Sequence, residues 1–195
     1  MSNTFEGENI EHQIAAEEMR MDRYEPNENE LRNVEKLIDI AEKAEKQGIR
    51  FGIFGGYGLD ILYGKLTRPH HDVDMLVSDN DAQKLDQVLN DNGFELVNTT
   101  EIKKQYAQPA QPGFIVEFAP TSVLKSLTQE SEETFLPQSQ NGSLLGRNLR
   151  AVSIEGQKIL TEIQNKRAVN LGWEKYSPEK EINRLALLRR IEKHS

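Results

Sequence analysis

From residue 51 the chain reads Phe51-Gly52-Ile53-Phe54-Gly55-Gly56-Tyr57-Gly58-Leu59-Asp60, and a few residues on Thr67-Arg68-Pro69-His70-His71-Asp72-Val73-Asp74-Met75-Leu76-Val77. Phe51, Ile53 and Phe54 make a short apolar run that Gly55-Gly56 stops, so a strand is expected to give way to a glycine turn. Residues 57–63 read as a short helix behind the turn, and residues 72–77 as a second strand. Alternation along that strand sets Asp72, Asp74 and Leu76 on one face and Val73, Met75 and Val77 on the other. Strand, glycine turn, helix and acid-bearing strand, in that order, decide the architecture that the rest of the chain completes.

Upstream, Leu31, Val34, Leu37, Ile38, Ala41 and Ala44 recur at helical spacing between Glu30 and Gln47, and Gly48 stands where a helix would end. Downstream, Leu85, Val88 and Leu89 line one face of a helix over 81–92 closed by Gly93, and residues 94–97 resume as a strand. The chain is then expected to loop through Pro109, Pro112 and Gly113 into a strand over 114–119. A short strand near 144–152 and a helix over 156–169 follow. The last helix is capped by Ser177, starts at Pro178 and carries the stripe Ile182, Leu185, Leu188 and Ile191. This order predicts an α+β fold, with the sheet first and a helical unit at the end. Three units are expected: an acidic, flexible extension over 1–28, a sheet domain over 29–127, and a mainly helical unit over 128–195.

Charge and composition narrow the function classes. Of the net −8 over 195 residues, −7 falls in residues 1–30, where nine acids meet only Arg20 and Arg23. The remainder is close to neutral, which argues against the clustered basic face of a nucleic-acid binder. The same acidic excess and Pro26 leave the extension partly ordered at most, around Ile14 to Met21, and dispensable for chemistry. With no cysteine there is neither a disulfide framework nor a Cys-rich zinc site. No apolar run suits a membrane span, and the first residues lack a signal-peptide pattern, so a cytoplasmic location is expected.

Three features carry chemistry. Gly55 and Gly56 allow close backbone approach ahead of a helix N-terminus, a setting that suits phosphate. Asp72 and Asp74 on one strand face repel unless a cation, a proton or solvent relieves them, and Mg²⁺ takes such carboxylates together with phosphate oxygens. Glu117 interrupts an apolar strand and must be exposed, paired or bound to metal. Singly, each has an ordinary structural reading: a turn, a solvated strand end, the outer face of a sheet. Together they are the parts that a two-metal nucleotidyl transfer uses.

The segment Gly55-Gly56-Tyr57-Gly58-Leu59-Asp60, then Gly64, Thr67-Arg68-Pro69-His70 and Asp72-Val73-Asp74, resembles the small-molecule nucleotidyltransferases of the DNA polymerase β superfamily. It looks most like the branch that adenylylates lincosamide and aminoglycoside antibiotics. The resemblance implies a polymerase-β-like sheet with flanking helices and a Mg²⁺-dependent transfer of a nucleoside monophosphate, AMP from ATP, to a hydroxyl of a small acceptor. By the same resemblance Gly55 and Gly56 hold the triphosphate, and Asp72, Asp74 and Glu117 ligate metal, with Glu117 also a candidate base. Arg68 lies near the phosphates, His70 supports the loop and Asp60 orients. Near the C-terminus, Pro178 to Asn183 resembles the family's P-x-KD-x-x-D helix and assigns Lys180 to the nucleotide. Glu181 there replaces Asp, and Asn183 holds a polar position without the charge.

Other residues take plainer readings: Lys103-Lys104, His71 and Glu130, Glu132 and Glu133 as solvated surface, Trp173 and Tyr176 as packing of the helical unit. Two alternatives keep the residues but change the role: transfer to a protein hydroxyl, and an inactive nucleotide-binding module whose acidic tail recruits a partner.

Overall fold

The structure, a computed structural model, describes residues 3–109, 113–125, 128–138, 141–170 and 178–194. Two helices lead, α1 (Asn3–Asp22) and α2 (Glu28–Lys46). The second opens on a reciprocal cap: the Asn27 side chain accepts from the Glu30 amide, and the Glu30 carboxylate accepts from the Asn27 amide. β1 (Phe51–Phe54), α3 (Gly55–Tyr63) and β2 (Asp72–Val77) follow the sequence expectation closely. A 3₁₀ turn at Asp79–Asp81 leads into α4 (Ala82–Asp91). Then come β3 (Glu95–Thr99), β4 (Lys104–Ala107), β5 (Ile115–Pro120), the short helices α5 (Ser122–Lys125) and α6 (Glu132–Phe135), the hairpin β6 (Gly142–Leu144) and β7 (Arg147–Leu149), and helices α7 (Ile154–Asn170) and α8 (Pro178–His194).

Five strands form one mixed sheet in the order β1-β2-β5-β4-β3. β1 runs antiparallel to β2, β2 parallel to β5, and β5 antiparallel to β4. One face is apolar: Val73, Met75, Val77, Tyr106, Val116 and Phe118 pack with Val34, Leu37 and Ala41 of α2 and Leu85, Val88 and Leu89 of α4. Each of the valine, leucine, methionine and phenylalanine side chains contributes about 1.5–3 kcal/mol of burial. That packing fixes the strand register, and the alternate residues Asp72, Asp74, Gln105 and Glu117 are thereby set on the opposite face.

Three expectations are corrected. Residues 104–107, expected in a loop, are strand β4; Lys-Gln-Tyr-Ala has little strand propensity of its own and is held by pairing with β3 and β5 on either side. The strand expected over 144–152 is the hairpin β6–β7, whose turn carries Leu145 at φ 49° and Gly146 at φ 73°. The N-terminal stretch expected to be flexible contains α1, and its apolar residues Ile14 and Met21 pack with Leu187, Leu188 and Ile191 of α8. Acidic composition did not prevent this, because α8 offers an apolar stripe flanked by Arg189, Arg190 and Lys193, which meet Glu11, Asp22 and Glu18. Ser177, Trp173 and Tyr176 lie outside the described residues. Among the described residues no helix is long and apolar enough to cross a membrane.

Candidate active site

Asp74 of β2 and Glu117 of β5 are direct register partners, and Asp72 lies two residues back along the same face. Their carboxylates converge, with one oxygen from each within 4.8 Å of the others. Asp72 is exposed, Asp74 half-buried and Glu117 buried. Burial, then the charges of Asp72 and Glu117, push the Asp74 carboxyl up to about 7, with Lys103 pulling the other way. Three oxygen donors at this spacing, reluctant to hold three negative charges, suit a hard divalent cation such as Mg²⁺. Of the described residues, no other cluster of three acids or histidines has this spacing.

Glu117 is not left bare. Lys103 Nζ bonds one of its oxygens and Gln105 Nε2 the other. Lys103 stands at the β3–β4 turn, where its amide donates to Thr100 Oγ1 at 3.1 Å and its carbonyl accepts from the Thr100 amide at 2.9 Å. The expectation of solvated lysines is therefore corrected for both residues. Lys103 is the counter-ion of Glu117, and Lys104, at the start of β4, pairs with Asp86 of α4 at 2.5 Å. Glu132 also has defined partners, accepting from Thr121 Oγ1 at 2.8 Å and pairing with Arg50 at 3.0 Å.

The glycine turn faces these acids. Gly55 has φ 68°, and a Cβ there would lie 2.6 Å from Asp74 Oδ2, so both backbone and space require glycine. A Cβ on Gly56 would strike the His70 ring and come within 2.8 Å of Arg68 Nη2. The Gly55 amide donates to Gln157 Oε1 at 3.0 Å, which ties the turn to α7. First-turn amides of a helix lack intrahelical acceptors, so the start of α3 presents donors toward this region.

Beneath the turn lies a buried polar triad. Asp60 accepts from Thr67 Oγ1 at 2.7 Å and from the Thr67 amide at 3.2 Å, and it contacts His70 Nε2 at 2.6 Å. Opposite a carboxylate, Nε2 is assigned as the donor, which turns Nδ1 toward Gly56. His70 thus braces the turn from below, with Tyr57 against its ring at a centroid distance of 4.4 Å. His71 is exposed, in keeping with its surface reading.

Between the turn, α7 and α8 opens a cleft of about 80 Å³ whose lining includes Gly55, Gly56, Arg68, His70, Lys180 and Asn183. Sites that enclose a whole ligand are roughly 300–1,000 Å³, so this cleft suits a phosphate group rather than a nucleoside. Two roomier hollows, about 410 and 560 Å³, lie beside Arg23 and beside Gly142, and neither is lined by Gly55, Gly56 or the three carboxylates. Arg68 donates from Nε to Asn183 Oδ1 at 3.2 Å and from Nη1 to the Pro69 carbonyl at 3.0 Å. Lys180 is exposed on the same cleft.

Sequence reasoning missed Gln105, Gln157 and the partners of Asn183. Gln105 had a signal, since a polar residue alternating with Tyr106 would share Glu117's face once β4 was recognised; Gln157 is more than a hundred positions from Gly55 and had none.

Fold and site thus combine a mixed five-stranded sheet with three converging carboxylates and a glycine turn packed against one of them. The sequence model of the aminoglycoside-2''-adenylyltransferases matches residues 36–165, and the chain belongs to that family. A lincosamide resistance protein of Staphylococcus haemolyticus is 33% identical over 61 residues, which are 31% of this chain and 38% of that protein. The chain thus spans well under half the length of that curated relative. Among solved structures, ANT(2'')-Ia in complex with adenylyl-2''-tobramycin superposes with a TM-score of 0.62 at 16% identity, over 82% of this chain and 97% of that one. Lincomycin-bound LnuA, a lincosamide antibiotic adenylyltransferase, gives 0.52 at 17% identity, over 86% and 99%. At such identities the likeness establishes the fold.

Proposed function

We propose that the protein transfers AMP from ATP to a hydroxyl of a small polyhydroxylated acceptor of the aminoglycoside or lincosamide kind, with Mg²⁺ as the metal. The observation that carries this is the register of β2 on β5, which sets Glu117 beside Asp74, the acid packed against Gly55. That ANT(2'')-Ia is seen with an adenylylated aminoglycoside and LnuA with lincomycin supports the acceptor class.

Asp72, Asp74 and Glu117 would hold the metal, which when bound supplies positive charge to the leaving pyrophosphate and favours ionisation of the attacking hydroxyl. Gly55 and Gly56 admit the phosphates against the backbone, and Arg68 and Lys180 neutralise their charge. The acceptor oxygen forms a bond to the α-phosphorus as the bond to pyrophosphate breaks, and the hydroxyl proton passes to Glu117. In the resting site that carboxylate is held by Lys103 on one oxygen and Gln105 on the other. The catalytic sheet lies in residues 29–127, residues 128–195 complete the acceptor side, and α1 joins the latter rather than trailing free.

The test is acceptor-dependent pyrophosphate release with Mg²⁺, each NTP, and a panel of aminoglycosides and lincosamides. Release with ATP and at least one acceptor is expected. No release with any combination, from protein that binds nucleotide, would overturn the transfer reading.

A further inference from the structure

Resting on the nucleotide reading of the cleft, we infer that Glu17 of the N-terminal helix is a positioning residue of that site, holding Arg68 in place through the side-chain amide of Asn183. Most acids of α1 that meet α8 do so through arginine and lysine at its surface, as Glu11 with Arg189 at 2.7 Å and Asp22 with Arg190 at 2.5 Å. Glu17 differs. Its side chain is 11% exposed, and on α8 it meets the amide of Asn183, which donates from Nδ2 to Glu17 Oε1 at 2.7 Å. Arg20 clamps the same carboxylate from within α1, Nη2 to Oε1 at 2.6 Å and Nε to Oε2 at 2.8 Å. The Arg20 bond first, then Asn183 and the charge of Arg68, hold Glu17 below the usual carboxylate range against its burial, so it is ionised at neutral pH.

An ionised carboxylate only accepts, so it fixes which end of the Asn183 amide faces α1. The NH₂ group turns toward Glu17, and the oxygen is left facing Arg68, where it accepts from Nε at 3.2 Å. With Nη1 on the Pro69 carbonyl, two contacts set the guanidinium plane and Nη2 is turned to Gly56. Were Glu17 neutral or absent, the amide could turn its donor end to Arg68, where two donors oppose each other. Asn183 is buried and carries no charge of its own, so the ordering of Arg68 depends on an acid that another helix supplies. The acidic N-terminal helix therefore takes part in nucleotide binding without touching nucleotide.

The test uses the full chain and measures Kd for MgATP and for tripolyphosphate by calorimetry, with thermal melting as the check on folding. Glu17→Gln should weaken both ligands by about tenfold, the scale of one charge-assisted contact, with the melting midpoint little changed. Moving the carboxylate to the other helix, in Glu17→Gln/Asn183→Asp, should restore both to within about threefold of wild type. In that double variant the new amide on α1 donates to the new carboxylate on α8, whose second oxygen accepts from Arg68. Wild-type affinity in Glu17→Gln, or no recovery in a folded double variant, overturns the inference alone. A wild-type protein that binds neither ligand overturns the nucleotide reading along with it.

Discussion

Asp74→Asn, studied in EDTA, isolates the electrostatic burden of the carboxylate cluster. In the metal-free protein the Asp74 carboxyl is raised from 3.8 to about 7, first by burial and then by Asp72 and Glu117. A raised carboxyl binds its proton more tightly in the folded than in the unfolded chain. Stability is therefore greatest below the unfolded value and falls as pH rises toward the folded one. The rise from 3.8 to about 7, at about 1.4 kcal/mol per pH unit, amounts to roughly 4 kcal/mol. Asparagine keeps the shape and removes the charge. In urea titrations, Asp74→Asn should gain on wild type as pH rises, the difference growing by about 2–3 kcal/mol between pH 5 and pH 8. Excess Mg²⁺ should reverse the order at pH 8 by stabilising wild type and not the variant. A difference that does not change with pH would refute the claim that Asp74 is held among like charges in a desolvated site.

Glu117→Gln should leave MgATP binding nearly intact while kcat falls by about 10²–10⁴, read from acceptor-dependent pyrophosphate release; wild-type turnover would remove Glu117 from the chemistry. Lys103→Met removes the cation that neutralises Glu117, so in EDTA the variant should melt below wild type, and it should bind Mn²⁺ more tightly by calorimetry. Lys104→Met, at a pair facing Asp86, should leave Mn²⁺ affinity unchanged. Deleting residues 1–24 uncovers the stripe of Leu187, Leu188 and Ile191 and removes Ile14 and Met21 from it. At about 1.5–3 kcal/mol per buried side chain, a loss of roughly 3–6 kcal/mol in urea denaturation is expected, whereas an unchanged midpoint would restore the view of a dispensable extension.

The parts of the fold legible in the sequence are those whose cause is local. β1, the glycine turn, α3 and β2 lie within 27 residues and carry their own signals: apolar runs, paired glycines and strict alternation. The helices α2 and α4 are amphipathic with buried stripes, so their periodicity announces them. β4 escaped because Lys104 to Ala107 is a strand only between two other strands. The order of α1 escaped because an acidic helix looks solvated until a basic partner with an apolar stripe, far along the chain, is placed beside it.

The site divides in the same way. Asp72, Asp74, Gly55 and Gly56 could be picked out as candidates from the sequence, because residue type and spacing within one short window state their chemistry. Glu117 was legible as an anomaly, a charge in an apolar strand, and its convergence with the aspartates needed the β2–β5 register. Lys103 and Gln105 on Glu117, Gln157 on Gly55, and Glu17 on Asn183 and Arg68 were decided by the tertiary structure alone. A hydrogen bond or ion pair acts over about 3–4 Å, and its partners are chosen by which elements pack together, a choice made by buried apolar surface over the whole chain rather than by the residues that finally meet.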